Sequence, residues 1–173
     1  MRLIKRCPAY TGGYKAYCKE LYDNNVTYFR PTQPDKIDAD WFSRTKPWYD
    51  RQEKGLIEGQ PATFHYWAVD GEKFIGELQL RTEFTDKVLF DIGSTGYAVR
   101  VSEWGKGYGA EILRRGLELA KKHGMERVLL TIHDANAASI RVCEKLGGRW
   151  GDTIEVENEA EGHHLLRRYW IEL

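Results

Sequence analysis

The spacing of apolar residues changes period twice along the chain. Over Gly12 to Asn25, Tyr14, Tyr17, Cys18 and Leu21 recur at helical spacing, which predicts an amphipathic helix ending at Asn24 and Asn25. Pro31, Pro34 and Pro47 punctuate the next stretch, where a second helix is expected from Asp38 to about Gly55 and carries Trp41, Phe42, Trp48 and Tyr49. From residue 62 the period shortens to two. Phe64 to Val69 is rich in β-formers, and Asp70-Gly71 is a hairpin turn signal. Lys73 to Arg81 then alternates, with Phe74, Gly76, Leu78 and Leu80 expected on one face and Ile75, Glu77, Gln79 and Arg81 on the other. After the polar loop Thr82 to Lys87, the segment Val88 to Val101 predicts one or two strands broken near Gly93 and Ser94.

The period then returns to 3.6. A glycine-rich loop at 105–109 opens a helix reaching about His123, with Ile112, Leu113, Leu117 and Ala120 as its apolar stripe and Gly124 as its stop. Arg127 to Ile132 is a continuous apolar run of the kind buried on both faces in a parallel pair. Asn136 is placed to cap a helix from Ala137 to Leu146, ended by Gly147-Gly148. Two last strands fit 149–156 and 164–173, joined by the acidic loop 157–161. Helices, an antiparallel meander, one βαβ crossover, a helix and two strands amount to an α+β sheet with one parallel junction in its middle.

Composition narrows the function classes. At 173 residues the chain is one domain, expected to span 1–173 as a helical segment 1–61 and a sheet core 62–173. Hydrophobic residues make up 42% and charged residues 30%, which excludes a disordered chain. Lys+Arg and Asp+Glu both number 26, so there is no whole-chain basic footprint for nucleic acid or a membrane surface. Cys7, Cys18 and Cys143 form no CxxC, and His163-His164 lacks a third ligand at metal spacing, so no metal and no disulfide framework are expected. With no signal-like or membrane-spanning run, the expected location is the cytoplasm.

The chemistry concentrates in Trp104-Gly105-Lys106-Gly107-Tyr108-Gly109-Ala110. A strand leads in and a helix leads out. The first N–H groups of that helix have no intrahelical partner and the dipole there favours an anion, so a phosphate is the natural ligand. Gly105-x-Gly107-x-x-Ala110 also matches a dinucleotide fingerprint, with Asp134 as the ribose-binding acid. A dinucleotide fold, however, opens a series of βα units, and here only one crossover follows.

From Gly96 to Gly148 the chain resembles the GNAT (Gcn5-related) N-acetyltransferases, in a branch of bacterial predicted acetyltransferases. The resemblance rests on the glycine loop, on Asn136-Ala137-Ala138-Ser139, on Glu144-Lys145-Leu146-Gly147, and on Tyr66 to Val69 and Arg167 to Ile171. It implies a mixed, mostly antiparallel sheet whose one parallel strand pair splays apart. It also implies acetyl-CoA as co-substrate, with its pyrophosphate on the loop from Trp104 through Gly105, Lys106, Gly107, Tyr108 and Gly109 to Ala110. Its pantetheine would pair with the main chain of Val99 and Val101 and reach Asn136 and Ser139. Two departures stand out: Trp104 replaces the motif's Arg or Gln, and Cys143 stands where many members carry a Tyr that protonates the leaving thiolate.

The implied reaction is direct acetyl transfer to a primary amine, small-molecule or peptide. The amine must be neutral to attack, and with an ordinary pKa of about 8 to 10.4 it needs desolvation or a base. Glu77 and Asp91 are the best-placed bases, with Glu103 and His133 behind them. Tyr14, Tyr17, Trp41, Trp48 and Tyr49 are expected to wall the acceptor pocket. A non-catalytic CoA-binding or regulatory module is the alternative that a missing Tyr leaves open, and the many aromatics leave a homodimer open.

Overall fold

The computed structural model describes residues 1–26, 32–158 and 162–173. Two antiparallel sheets carry the chain. The first contains β1 (Arg2–Lys5), β2 (Thr63–Asp70), β3 (Lys73–Arg81) and β4 (Thr95–Val99) in that spatial order. The second contains β5 (Arg127–His133), β6 (Arg149–Asn158) and β7 (Gly162–Glu172) in the order β5-β7-β6. The helices are α1 (Thr11–Asp23), α2 (Trp41–Glu53), α3 (Tyr108–Lys122) and α4 (Ala137–Lys145).

The sheets meet at one point. The Ser94 N–H donates to the Leu129 carbonyl (2.8 Å), and the Leu129 N–H donates to Ser94 Oγ (2.7 Å). Beyond this junction β4 and β5 run on with no ladder between them, so the expected parallel pair splays. Only glycine fits just before it. Gly93 has φ +66°, and a Cβ there would lie 2.8 Å from the Leu129 oxygen.

The first sheet is covered on both faces. On one, α1 and α2 bury Tyr14, Tyr17, Leu21, Trp41 and Phe42 against Trp67 and Phe74. On the other, α3 sets Ile112 against Ala68, Ile75 and Leu78. A further cluster under α3 and α4 joins Leu80, Leu113 and Ala120 to Val128, Leu130 and Tyr169.

Three expectations are corrected. The segment before residue 61 is not only helical, because Arg2–Lys5 pairs with β2 in the register Ile4↔Trp67. Val88 to Ile92 is not a strand but a π-helical turn, and only Thr95–Val99 of the 88–101 stretch is extended. The strict alternation along β3 also fails at its start. The register steps from Ala68↔Gly76 to Val69↔Phe74, which leaves Ile75 as a bulge. Phe74 therefore turns onto the same face as Glu77, against α1, while Ile75 joins Leu78 under α3.

Candidate functional site

Between the splayed strands lies a cleft of about 440 Å³. Tyr97, Ala98 and Val99 of β4 form one wall, the glycine loop and first turn of α3 the floor, and α4 the other wall. The Arg100 N–H donates to Ile75 O (2.9 Å), so strand alternation turns the main chain of Ala98 and Arg100 toward β3 and that of Tyr97 and Val99 into the gap.

The floor is built for an anion. Gly107 precedes α3 in the left-handed region (φ +84°), with no side-chain cap on the helix. The first intrahelical bond is that of the Glu111 N–H to Gly107 O, which leaves the N–H groups of Tyr108, Gly109 and Ala110 pointing out of the helix end. The loop is held from α1: Arg100 pairs with Glu20, whose other oxygen accepts from the Ser102 N–H (3.0 Å). Burial raises the Glu20 pKa, but Arg100 and Ser102 outweigh it and hold the carboxylate below its usual range.

The residues expected at the cofactor divide in two. Val99, Trp104, Gly105, Gly107, Tyr108, Gly109, Ala110, Asn136 and Ser139 all line the cleft. Val101 and Lys106 do not. Val101 lies in the 3-10 turn Val101–Glu103 and packs on the α1 cluster, while Tyr97 and Val99 share the edge of β4 that faces the cleft. The Lys106 ammonium is held by the Ser102 carbonyl (3.0 Å) and Glu103 (3.1 Å). Trp104 is exposed, and its indole N–H donates to the Val99 carbonyl (2.8 Å) on the cleft-facing edge of β4. Asn136 caps α4 through Oδ1, which accepts from the Ser139 N–H (3.1 Å), so its amide N–H₂ is left for a ligand. Ala138, Arg141, Val142 and Lys145 also line the cleft. They follow Asn136 at helical spacing on one face of α4, a pattern present in the sequence but not used there.

The four carboxylate and imidazole candidates separate sharply. Glu77 is buried on β3 opposite Ala98, one strand from the cleft. Burial pushes its carboxyl up to about 7, held from going further by the hydrogen bond from Tyr17 OH (3.0 Å) and the charge of Arg6. Asp91 is exposed on the π-helical turn and does not line the cleft. Glu103 is bound by Lys73 and Lys106, and the Lys73 ammonium holds it below the ordinary carboxylate range, which makes it a poor proton acceptor. His133 stacks on His164 (5.2 Å between centroids) and its Nδ1 accepts from the Ala135 N–H (3.2 Å).

Of the expected pocket aromatics, Tyr14, Tyr17 and Trp41 are buried on the Glu77 face, with Tyr14 stacked on Trp41 and tilted against Tyr17. Tyr49 is half-buried, and Trp48 is exposed beside it. Cys143 is fully buried in the α3–α4 core, its thiol pushed up to about 12 by burial, and it does not line the cleft. Among the described residues no group of three or more potential metal ligands occurs, and no helix is long and apolar enough to cross a membrane.

A family model described as an acetyltransferase (GNAT) domain matches residues 14–149. Solved structures share the fold. One is Mycobacterium smegmatis RimJ in complex with CoA-disulfide, with a TM-score of 0.77 at 14% identity over 98% of this chain and 80% of that one. Another is yncA, a putative acetyltransferase from Salmonella typhimurium with acetyl-CoA, with a TM-score of 0.68 at 18% identity over 99% and 93%. A third is a ribosomal-protein-alanine N-acetyltransferase from Brucella melitensis, with a TM-score of 0.70 at 17% identity over the whole of both chains.

Proposed function

The chain belongs to the GNAT acetyltransferase family, and on that premise we propose that it moves an acetyl group directly from acetyl-CoA to a primary amine, with Glu77 taking the amine's proton. The observation that carries this reading is Glu77 itself. It is a carboxylate buried on the strand beside the cleft, on the acceptor side of the sheet, with its pKa raised to about 7. Such a group is half-ionised at neutral pH and matched to an amine that must lose a proton as it attacks.

When bound, acetyl-CoA supplies the activated thioester. The chain's residues would hold it as follows. The N–H groups of Tyr108, Gly109 and Ala110 meet the pyrophosphate, assisted by the positive end of α3. Arg141 and Lys145 add positive charge on the α4 wall. The main chain of Tyr97 and Val99 offers a strand edge to the pantetheine amides, in the manner of an added strand. The Val99 N–H, aimed into the gap, polarises the thioester carbonyl. Cys143 takes no part, because a buried thiol near 12 is a weaker acid than the thiolate's own conjugate, so the thiolate departs unassisted. Trp104 must release the Val99 carbonyl for the pantetheine to pair there.

The test is calorimetric titration of acetyl-CoA, coenzyme A and NAD against the native chain and a Gly107→Glu variant, followed by turnover with amines. Acetyl-CoA binding that the variant loses, with thiol release on adding an amine, supports the reading. Binding without turnover across amines would make the chain a CoA-binding module, and indifference to coenzyme A would remove both.

A further inference from the structure

The end of α1 turns two apolar side chains toward the cleft. The Val26 N–H donates to Leu21 O (3.0 Å) and the Asn25 N–H to Tyr22 O (3.1 Å), with Asn25 in the left-handed region at φ +52°. Together these bonds make a Schellman motif, which seats the residue after the left-handed one on the last turn of the helix. Leu21 and Val26 are the apolar pair of that motif, and both line the cleft. Ala98 of β4 joins them. Of the buried cluster on the Glu77 face, these three residues alone reach the cleft among the described residues. Leu21 is 0% exposed, Ala98 6% and Val26 9%, so the cleft stops on them.

This end adjoins the place where the thioester would sit. The Val99 N–H is aimed into the gap, and Ala98 precedes Val99 by about 3.4 Å of strand. An acyl group whose carbonyl meets that N–H therefore runs against Ala98, Leu21 and Val26 within its first few carbons. The charged residues that line the cleft are Glu103, Arg141 and Lys145. Glu103 is held by Lys73 and Lys106, and the other two stand on the α4 wall. Arg100 is taken by Glu20, and Arg6 lies among the rings of Trp41, Phe42, Tyr49 and Trp67; neither lines the cleft. The carboxyl group of Glu77 stands opposite Ala98 in the ladder. A carboxylate on the acyl chain would lose its water here and gain no cation. A longer alkyl chain would have to displace packed side chains.

We propose, resting on the placement of acetyl-CoA in the acetyl-transfer reading, that Leu21, Val26 and Ala98 determine which acyl group the cleft accepts. They admit acetyl and propionyl, stop butyryl and longer chains, and reject an acyl group that bears a carboxylate. The cut-off is steric at the Leu21–Val26 pair and electrostatic beside Glu77.

The test is calorimetric titration of coenzyme A and its acetyl, propionyl, butyryl and succinyl thioesters against the native chain, Val26→Ala and Ala98→Val. It reads the acyl end without an acceptor. In the native chain, butyryl-CoA and succinyl-CoA should each bind at least about tenfold more weakly than acetyl-CoA, the scale of displacing packed side chains or stranding a charge. Val26→Ala should bring butyryl-CoA to within about threefold of acetyl-CoA and leave succinyl-CoA rejected, because it removes bulk and adds no cation. Ala98→Val should move the cut-off the other way and weaken propionyl-CoA against acetyl-CoA. Butyryl-CoA or succinyl-CoA binding the native chain as tightly as acetyl-CoA would overturn the proposal, and so would a folded Val26→Ala chain with the native ratios. Should neither variant fold, the native ratios alone decide. If neither coenzyme A nor any thioester binds, the acetyl-transfer reading fails and the proposal with it. If acetyl-CoA binds and no amine is turned over, the transfer step alone fails, and the acyl profile still decides the proposal.

Discussion

A carboxylate becomes a base at neutral pH when the protein makes its charge expensive. Glu77 meets that condition through Tyr14, Tyr17, Trp41, Trp67 and Phe74, which exclude water from its face of β3. Only the Tyr17 hydroxyl and the more distant Arg6 favour its ionised form. With Glu77 as base, kcat/KM should rise with pH through about 7 and then level. Glu77→Gln should lower kcat by roughly 10²- to 10⁴-fold and flatten that limb, with acetyl-CoA affinity unchanged. A variant that retains the limb would assign it elsewhere. Cys143 makes the complementary case. Its sulfur packs where a Cβ on Gly148 would come within 2.4 Å, so the site has room for a thiol and little more. Cys143→Ala should leave kcat within about twofold while costing roughly 1–2 kcal/mol of stability, because it removes packing and not an acid. A tenfold loss of kcat in a folded Cys143→Ala chain would restore it to the mechanism.

At the scale of elements, the floor of the cleft depends on a tie that crosses the fold. Glu20 on α1 grips Arg100 and the Ser102 N–H, and these lead directly into the glycine loop. Without Glu20 the turn Val101–Glu103 loses its anchor while the glycines and α3 remain. Glu20→Ala should therefore weaken acetyl-CoA binding by about tenfold in calorimetry and spare kcat at saturation; an unchanged affinity would mean that the loop holds its own shape. This tie also shows what the sequence could convey. The glycine loop, α3 and β5 were legible because local rules set them: a periodic apolar stripe, a positive-φ glycine before a helix, a run of β-branched and apolar residues. The tie was not legible, because nothing local joins residue 20 to residue 100. The same holds for β1, whose four residues become a strand only by pairing with β2. Val88-Leu89-Phe90 reads as a strand by composition, but Gly93 at φ +66° and the Thr131 hydroxyl on the Asp91 carbonyl (2.9 Å) close it into a turn. Glu77 was legible as a candidate by its place on a central strand. Its companion Arg6 was not, since the aromatic rings around it come from α2 and β2.

For the whole molecule, the face of the first sheet under α1 and α2 holds two titrating groups that oppose each other. Glu77 has its pKa raised to about 7 in the folded chain, so its contribution is complete below its ordinary value of about 4.5 and is lost as pH rises through 7. His65 has its pKa lowered to about 3, so its contribution is complete above about 6.5 and is lost as pH falls. Between pH 4.5 and 6.5 one group loses what the other gains, and their joint effect on stability is nearly flat. This cancellation lets the chain keep a half-ionised buried base without a steep pH optimum in stability. Removing either partner should expose the other. Glu77→Gln should gain stability relative to the native chain as pH rises from 4.5 to 7.5, by on the order of 3 kcal/mol across the window. His65→Gln should shift the opposite way, losing its handicap at acid pH and so gaining on the native chain as pH falls from 6.5. Denaturant unfolding at several pH values measures both differences. Two differences of opposite slope would establish the pair; a flat Glu77→Gln difference would show that Glu77 is ionised near its ordinary pKa, and the argument for it as the base would fall with it.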